Sequence, residues 1–367
     1  MTIRTITLEK NATCGAARAC TMSTAHGSVS TPVFMPVGTA GTVKGIAPNL
    51  LETTGSSMIL SNTYHLMLRP GEDVVAKLGG LHEFMQWSRP ILTDSGGFQV
   101  MSLSSLCQIK SEGVIFKSHI DGSKHYLTPE KSIQIQHKLG SDISMVLDEC
   151  TPYPVSYSYA KSSMLLSLEW ALRSKQAFIR RKGHGLFAII QGSTYKDLRE
   201  YSLKKLMDHD FDGYAIGGLA VGEGHDKMLE VLSFVMPEID SNKARYLMGV
   251  GKPANIVAAV KMGIDMFDCV IPTRSGRNGQ AFIRGGTVNI RKQQYIKDVS
   301  ALDESCSCYT CKNFSKAYLN HLVKSREMLG AILLTFHNIQ YYQDLMSRLR
   351  KAIIEGTIQT TPDSNFI

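Results

Sequence analysis

The 367-residue chain has no apolar run approaching the roughly 20 residues that a membrane-spanning helix needs. Its first residues, MTIRTITLEKN, lack the continuous apolar core of a secretory signal, so a cytoplasmic protein with no membrane partner is expected. In such a reducing compartment the eight cysteines are expected as free thiols or metal ligands rather than disulfides. Low-complexity segments are lacking too, and no repeat rises above an alternation of strands and helices. The Gly-rich loop that binds dinucleotides at the edge of an open sheet is missing, for Gly38-Thr39-Ala40-Gly41 is a poor match. Acidic residues are scarce in one place: between Arg274 and Arg326 ten Lys and Arg stand against only Asp298, Asp303 and Glu304. Within a net charge of +8, that basic C-terminal segment points to an anionic partner.

What is present is the composition of a globular protein, 43% hydrophobic and 20% charged, long enough for one large α/β domain or two ordinary ones. Residues 1–32 read as short antiparallel strands forming a lid or cap. Beyond them apolar runs of strand length recur: Val33–Val37, Met58–Tyr64, Ile91–Ser95, Ile143–Glu149, Leu186–Gly192, Tyr214–Ala220, Tyr246–Gly251 and Met266–Ile271. The spacers read as helices at Ser163–Lys182, Leu198–Asp208 and Lys227–Val235, and Pro253 is placed in the first turn of another. Eight strand–helix units imply an α/β fold of the closed (β/α)8 class, spanning 33–280. Two insertions break the rhythm. A hairpin with an Asp121-Gly122 turn is expected between Val114–Ile120 and Lys124–Leu127, and residues 281–340 hold a cysteine cluster with a basic helix. A closing helix is expected from Tyr341 to Glu355, then a tail to 367.

A barrel of this class carries its catalytic groups at the C-terminal ends of its strands. Those ends hold Asn62, Asp94, Asp148, Gln191, Gly217-Gly218, Gly249 and Asp268. Asp268 lies inside an apolar run, where an ionised carboxylate costs several kcal/mol unless it is paired or working. Either it forms a structural ion pair with Arg274 or Arg277 in the following basic loop, or it performs chemistry. In Asp94-Ser95-Gly96-Gly97-Phe98-Gln99 two glycines let backbone N–H groups approach a planar ligand while Phe98 offers a ring for stacking.

Cys306, Cys308 and Cys311 place three thiolates within one turn, and an imidazole is the usual fourth ligand of such a set. His321 and His337 are the candidates. His321 would face away on the helix continuing from Cys311, so His337 is favoured, completing a closed, structural zinc shell with one ion per subunit. Phe314, Tyr318 and His321 form one helical stripe, either core or a contact surface for a second copy of the chain.

Taken in order, SNTYHLMLRPG (61–71), TDSGGFQV (93–100), LDECTPYP (147–154), IIQGS (189–193), GGLAVGE (217–223), MGVGKP (248–253), MFDCVIPTRSGRNG (266–279), CSCYTC (306–311) and TFHN (335–338) resemble the bacterial tRNA-guanine transglycosylases over essentially the whole chain. The resemblance implies exchange of guanine at the wobble position of GUN anticodons for a 7-deazaguanine. Asp268 would be the nucleophile and Asp94 the acid and base. Asp148 would accept the two-donor edge of guanine, and Gln191 and the Gly218 N–H would serve its O6. Phe98 and Met248 would sandwich the ring, with Asn62, Ser95, Gly96, Gly97 and Leu219 completing the pocket. The resemblance also implies a homodimer and contacts to the tRNA anticodon loop from Gly249, Val250, Gly251, Lys252, Pro253, Ala254 and Asn255, and from Thr273, Arg274, Ser275, Gly276 and Arg277. Ala220-Val221, a larger pocket wall, favours the aminomethyl base over queuine. The rival readings are a queuine-using exchange enzyme, a non-catalytic tRNA-binding subunit and a barrel glycoside hydrolase.

Overall fold

In the computed structural model, which describes residues 5–103 and 107–367, eight parallel strands close into a barrel. They are Val33–Gly38, Ile59–Ser61, Ile91–Thr93, Ile143–Met145, Gly185–Ile190, Gly213–Ile216, Ala244–Leu247 and Met266–Cys269, each beside its neighbour in sequence, with the eighth paired to the first (Met266 with Val33, Phe267 with Phe34). Near-continuous burial along every strand is what a parallel sheet covered on both faces requires. All eight expected strands are present. Most end two to four residues before the apolar run does, because the chain leaves the ladder where its side chains turn into the mouth.

The helices between them follow the local chemistry. Thr128 caps Pro129–Leu139 by accepting from the Lys131 N–H at 3.2 Å, with Pro129 in the first turn and Gly140 ending the helix at φ +77°. Ser156 caps Tyr157–Ala177, which begins and ends earlier than Ser163–Lys182 because the serine supplies the acceptor there. Lys196–Met207, His225–Val235 and Pro253–Lys261 lie within two residues of expectation at each end. The expected hairpin is part of a three-stranded sheet, Cys107–Lys110, Gly113–Lys117 and Lys124–Leu127.

Two sequence expectations need correction. The basic loop after Asp268 is a helix, Ile271–Arg277, and the eighth strand stops at Cys269 rather than Ile271. The closing helix does not begin at Tyr341 but runs unbroken from Met328 to Ile354. Thr335, His337 and Asn338, poor helix formers, hid its first turns. Tertiary bonds override that propensity: buried Asn338 accepts from the Phe282 N–H and donates to the carbonyls of Pro272 and Gln280. These two helices pack so closely that a Cβ on Gly276 would lie 2.7 Å from the Thr335 nitrogen.

The N-terminal sheet, Thr7–Cys14, Ala17–Thr24 and Gly27–Thr31, is a floor rather than a lid; the first four residues of the expected cap lie outside the described residues. Asp142, Asp212 and Asp265 each precede a barrel strand, and each accepts the N–H at the start of the preceding strand, from Ile91, Leu186 and Arg245. The cap engages those same three carboxylates through His26, Thr5 and Arg18. Ala17, Ala19, Met22 and Val29 of the cap belong to the core that includes the strands. No helix among the described residues is long and apolar enough to cross a membrane.

Candidate active site

With the floor sealed, the opposite end of the barrel is the open one, and the acidic groups of the strand ends gather there. Asn62 follows the second strand and caps the helix Thr63–Leu68, its Oδ1 accepting from the His65 N–H at 3.1 Å. That bond fixes the amide's orientation, so its Nδ2 must face Asp94, to which it donates. Asp94 also accepts the Thr63 N–H at 2.9 Å. Burial pushes its carboxyl up to about 7, opposed by the Thr63 hydrogen bond and reinforced by the charge of Asp268.

Asp268 is held from one side. Both the Tyr246 hydroxyl, at 2.6 Å, and the Gly249 N–H, at 2.7 Å, donate to its Oδ1. Burial raises its pKa while those two donors pull it down. Among the described residues no ion pair joins it to Arg274 or Arg277, so the structural ion-pair reading fails. Two hydrogen bonds stabilise the ionised form without neutralising it, which suits a nucleophile. Tyr246 was missed in the sequence because strand alternation shows which face a residue is on, not which neighbour its hydroxyl reaches.

Asp148 accepts from the Gln191 amide at 2.7 Å and from the Ser95 hydroxyl; burial still lifts it to about 6. Gln191 is packed against the glycine pair beyond the sixth strand. A Cβ on Gly217 would lie 2.7 Å from Gln191 Nε2, and one on Gly218, at φ +63°, 2.6 Å from its Oε1. Gly97 is as tightly set, for a Cβ there would lie 2.7 Å from the Asp148 carbonyl oxygen. Ser95, Gly96, Gly97 and Leu219 are buried, Met248 is half-buried and Phe98 is half-exposed on the helix Gly97–Leu103.

Beside the pocket, Glu223 accepts the N–H groups of Ala220, at 2.6 Å, and Val221, at 3.0 Å. Ala220 sits at φ +58°, a strained setting for a residue with a Cβ, and the Glu223 carboxylate holds it there.

The expected RNA-contacting segments divide. Gly249, Lys252, Ala254 and Arg274 are exposed, and Pro253, Asn255, Ser275 and Arg277 are half-buried. Val250, Gly251, Thr273 and Gly276 are buried and cannot present side chains to RNA. Gly251 packs on Cys269 and its carbonyl accepts from the Tyr342 hydroxyl; Gly276 packs on the closing helix.

In the basic lobe, Cys306, Cys308, Cys311 and His337 bring their ligand atoms within 4.8 Å of one another, and His321 is exposed outside the set. The His337 Nδ1 lies 3.3 Å from Cys311 Sγ and 3.6 Å from Cys308 Sγ. Its Nε2 meets the Phe282 carbonyl at 2.6 Å, so that nitrogen carries the proton and the Nδ1 lone pair is free for a cation. Hydrogen bonds from Cys306 and Cys311 drive the Cys308 thiol down to about 3, while those to Cys306 and Cys308 push Cys311 up. Three such thiols ionise together only around a cation, and this donor set fits a divalent one. Phe314 precedes the helix Lys316–Lys324 rather than lying in it, but its ring stacks on Tyr318 at 5.5 Å.

Comparison with known proteins agrees with this geometry. A family model described as queuine tRNA-ribosyltransferase matches residues 13–364. Proteins of that name from Rickettsia bellii (strain OSU 85-389) and Rickettsia prowazekii are 59% identical to the chain, and one from Rickettsia typhi is 60% identical. Each match covers 93% of this chain and 94% of the relative.

Proposed function

Because the chain belongs to the queuine tRNA-ribosyltransferase family, we propose that it exchanges the wobble guanine of tRNAs with GUN anticodons for 7-aminomethyl-7-deazaguanine in queuosine synthesis, through a covalent ribosyl–aspartate at Asp268. The observation that carries this reading is Asp268, whose Oδ1 accepts from Tyr246 and Gly249 at the barrel mouth, beside a second carboxyl, Asp94, lifted to about 7.

Both donors fall on Asp268 Oδ1, which leaves Oδ2 to attack the ribose C1′. As that C–O bond forms, the glycosidic C–N bond breaks and its electron pair leaves with guanine. Asp94, close to half protonated at neutral pH, gives the departing base its proton and later takes one from the incoming base. The balance is that of a retaining glycosidase with a base in place of water as acceptor. Asp148 accepts the N1–H and exocyclic amine of guanine, and Gln191 and the Gly218 N–H face its O6. Phe98 and Met248 stack on the ring. With the Ala220 N–H tied to Glu223, the Leu219 carbonyl across the same trans peptide points the other way, an acceptor suited to an aminomethyl group. The target nucleotide leaves the anticodon loop to reach this pocket, at the low cost of unstacking a single-stranded base. Lys252 and Arg274 supply phosphate contacts.

Zinc held by Cys306, Cys308, Cys311 and His337 would be structural, a closed shell that ties the lobe to the closing helix. Cys308→Ser is expected to lose the stoichiometric metal and lower the melting temperature; full zinc retention, read by elemental analysis, would refute the ligand set. The exposed Tyr309, Tyr318 and Met328 of the lobe support a homodimer, and light scattering that gives a monomer with and without tRNA would remove it. The site of action is the cytoplasm, where the tRNA is.

The test is incubation with unmodified tRNA bearing a wobble guanine and labelled guanine, 7-aminomethyl-7-deazaguanine or queuine in separate arms. Label from the first two bases is expected in the tRNA, and none in any arm would sink the exchange activity. Preference for queuine would move the assignment of the incoming base. Tyr246→Phe supplies a finer check. Losing one hydrogen bond to a charged group costs about 1.5–3 kcal/mol, so exchange should fall about 10-fold or more. Because that bond favours the ionised form, its loss raises the Asp268 pKa further, and the deficit should be larger at pH 6 than at pH 8. An equal deficit at both would detach Tyr246 from the nucleophile's charge.

A further inference from the structure

The turn after the seventh strand, residues 248–252, supplies one of the two hydrogen bonds on Asp268, from the Gly249 N–H. Little in the turn itself fixes its shape. Gly249 sits at φ +71° and Gly251 follows two residues on, and glycine leaves the backbone more freedom than any other residue. The conformation that puts the Gly249 N–H 2.7 Å from Asp268 Oδ1 is therefore imposed from outside the turn. We propose that Tyr342, on the closing helix, is a positioning residue for Asp268: its hydroxyl, donated to the Gly251 carbonyl, holds the turn so that the Gly249 N–H stays on Oδ1. The catalytic meaning of that hold rests on Asp268 being the nucleophile.

Tyr342 is fully buried, and Gly251 is buried beneath it. Gly251 is also pressed on Cys269, the residue after the nucleophile, for a Cβ on the glycine would lie 2.6 Å from the Cys269 Sγ. The turn is thus held between the backbone that carries Asp268 and the tyrosine hydroxyl. Without that hydroxyl the Gly251 carbonyl is left buried and unpaired, and rotation of its peptide to find another donor would pull the Gly249 N–H from the carboxylate.

The tyrosine is itself rigidly placed. Its ring packs on Phe34 and Phe282, with centroids 4.6 and 5.3 Å away. The next residue, Gln343, donates to the Phe34 carbonyl at 3.1 Å, and Phe34 pairs with Phe267 of the eighth strand. One turn earlier, Asn338 donates to the carbonyls of Pro272 and Gln280 at 2.9 and 3.0 Å. The closing helix is therefore tied both to the strand beside Asp268 and to the segment that follows it. From that frame one hydroxyl can set a turn that its own glycines leave free. Tyr341 supplies the contrast, since its buried hydroxyl finds no partner among the described residues.

The experiment compares the full-length parent with Tyr342→Phe, which removes the hydroxyl and keeps the packed ring, and with Tyr341→Phe as the control. The first readout needs no activity. In hydrogen–deuterium exchange followed by mass spectrometry, a peptide spanning residues 248–252 should exchange about 3-fold faster or more in Tyr342→Phe and as in the parent in Tyr341→Phe. The second is guanine exchange, expected to fall about 3- to 10-fold in Tyr342→Phe and to be unchanged in the control. Because the Gly249 N–H favours the charged carboxylate, its loosening pushes the Asp268 pKa further up, and the deficit should be larger at pH 6 than at pH 8. Other groups near Asp268 do not produce that difference. Burial pushes Cys269 up to about 12 and Tyr246 well above its usual range, so both stay neutral, and the Arg274 guanidinium near Cys269 is a constant charge. Asp94, at about 7, titrates in both proteins and cancels in the variant-to-parent ratio. Parent-like amide exchange in residues 248–252 of Tyr342→Phe would overturn the proposal, as would a deficit equal at both pH values; Tyr342 would then be a packing residue only. A parent that incorporates no label would instead remove the exchange reading, and amide exchange alone would still decide whether Tyr342 holds the Gly249 N–H.

Discussion

Asp268→Asn is expected to abolish guanine exchange, by at least about 10⁴-fold in turnover, and with it any protein–RNA adduct that survives denaturation. The substitution is close to isosteric. An Asn Oδ1 can still accept from Tyr246 and from the Gly249 N–H, so the turn beyond the seventh strand keeps its shape. What is lost is the charge. A carboxamide oxygen is a poor nucleophile, and no other carboxylate sits in the same place: Asp94 is bound to Asn62 and Thr63, and Asp148 to Gln191. Since burial already penalises the charged form of Asp268, the variant should be no less stable than the parent at neutral pH. Loss of activity with retained melting temperature is therefore the signature. An adduct persisting in this variant, detected as a band shifted by the mass of the tRNA, would move the nucleophile elsewhere.

Asp94→Asn should cost about 10²–10⁴-fold in exchange and should also change the way stability depends on pH. The Asp94 carboxyl stands at about 7 in the folded protein against 3.8 in the free state. Between those values the native state holds a proton that the unfolded chain has released. Stability therefore falls as pH rises through that window, by on the order of 4 kcal/mol in total. Replacing the carboxyl removes that slope. Denaturant titrations at pH 5 and pH 8 should give a clear drop in the parent and a smaller one in the variant; equal drops would show that Asp94 is ionised throughout. In the proposed mechanism the same titration governs catalysis, since donation of a proton to the departing guanine requires the protonated acid. Exchange in the parent is expected to decline above about pH 7. Asp94 thus sits at a compromise in which ionisation, needed to take a proton from the incoming base, is opposed by burial.

Much of the site could be read from the sequence because a parallel barrel gives a simple rule linking position to place. Once eight apolar runs were recognised, Asn62, Asp94, Asp148, Gln191 and Asp268 followed as the polar residues at their C-terminal ends, and the structure gathers all five there. The cysteine spacing was equally legible, and His337 joins the set because a later helix folds back on the lobe. The partners of these groups were not legible. Nothing in Ala244–Leu247 distinguishes Tyr246 as the donor to Asp268 rather than a core aromatic, since both descriptions apply to a fully buried tyrosine. Gly249 lies in a loop whose sequence gives no sign that its N–H donates to Asp268. Contacts across strands depend on register, and register is a property of the closed sheet.

By itself, then, the sequence determined the barrel, the order of its strands, the acidic residues of its mouth and the three thiols of its lobe, because periodicity and spacing are local and survive in one dimension. Tertiary structure alone decided the rest. It put the N-terminal sheet under the barrel rather than over it, because buried Arg18 could satisfy its charge only on Asp265 and on the carbonyls of Ser241 and Lys243 beside it. It made a helix of Ile271–Arg277, with Gly276 against Thr335, and so buried the side chain of Thr273 and set Gly276 into the packing of the closing helix. It also set the electrostatics of the two carboxyls, for burial lifts Asp94 to about 7 and hydrogen bonds from Tyr246 and Gly249 hold Asp268 by one oxygen.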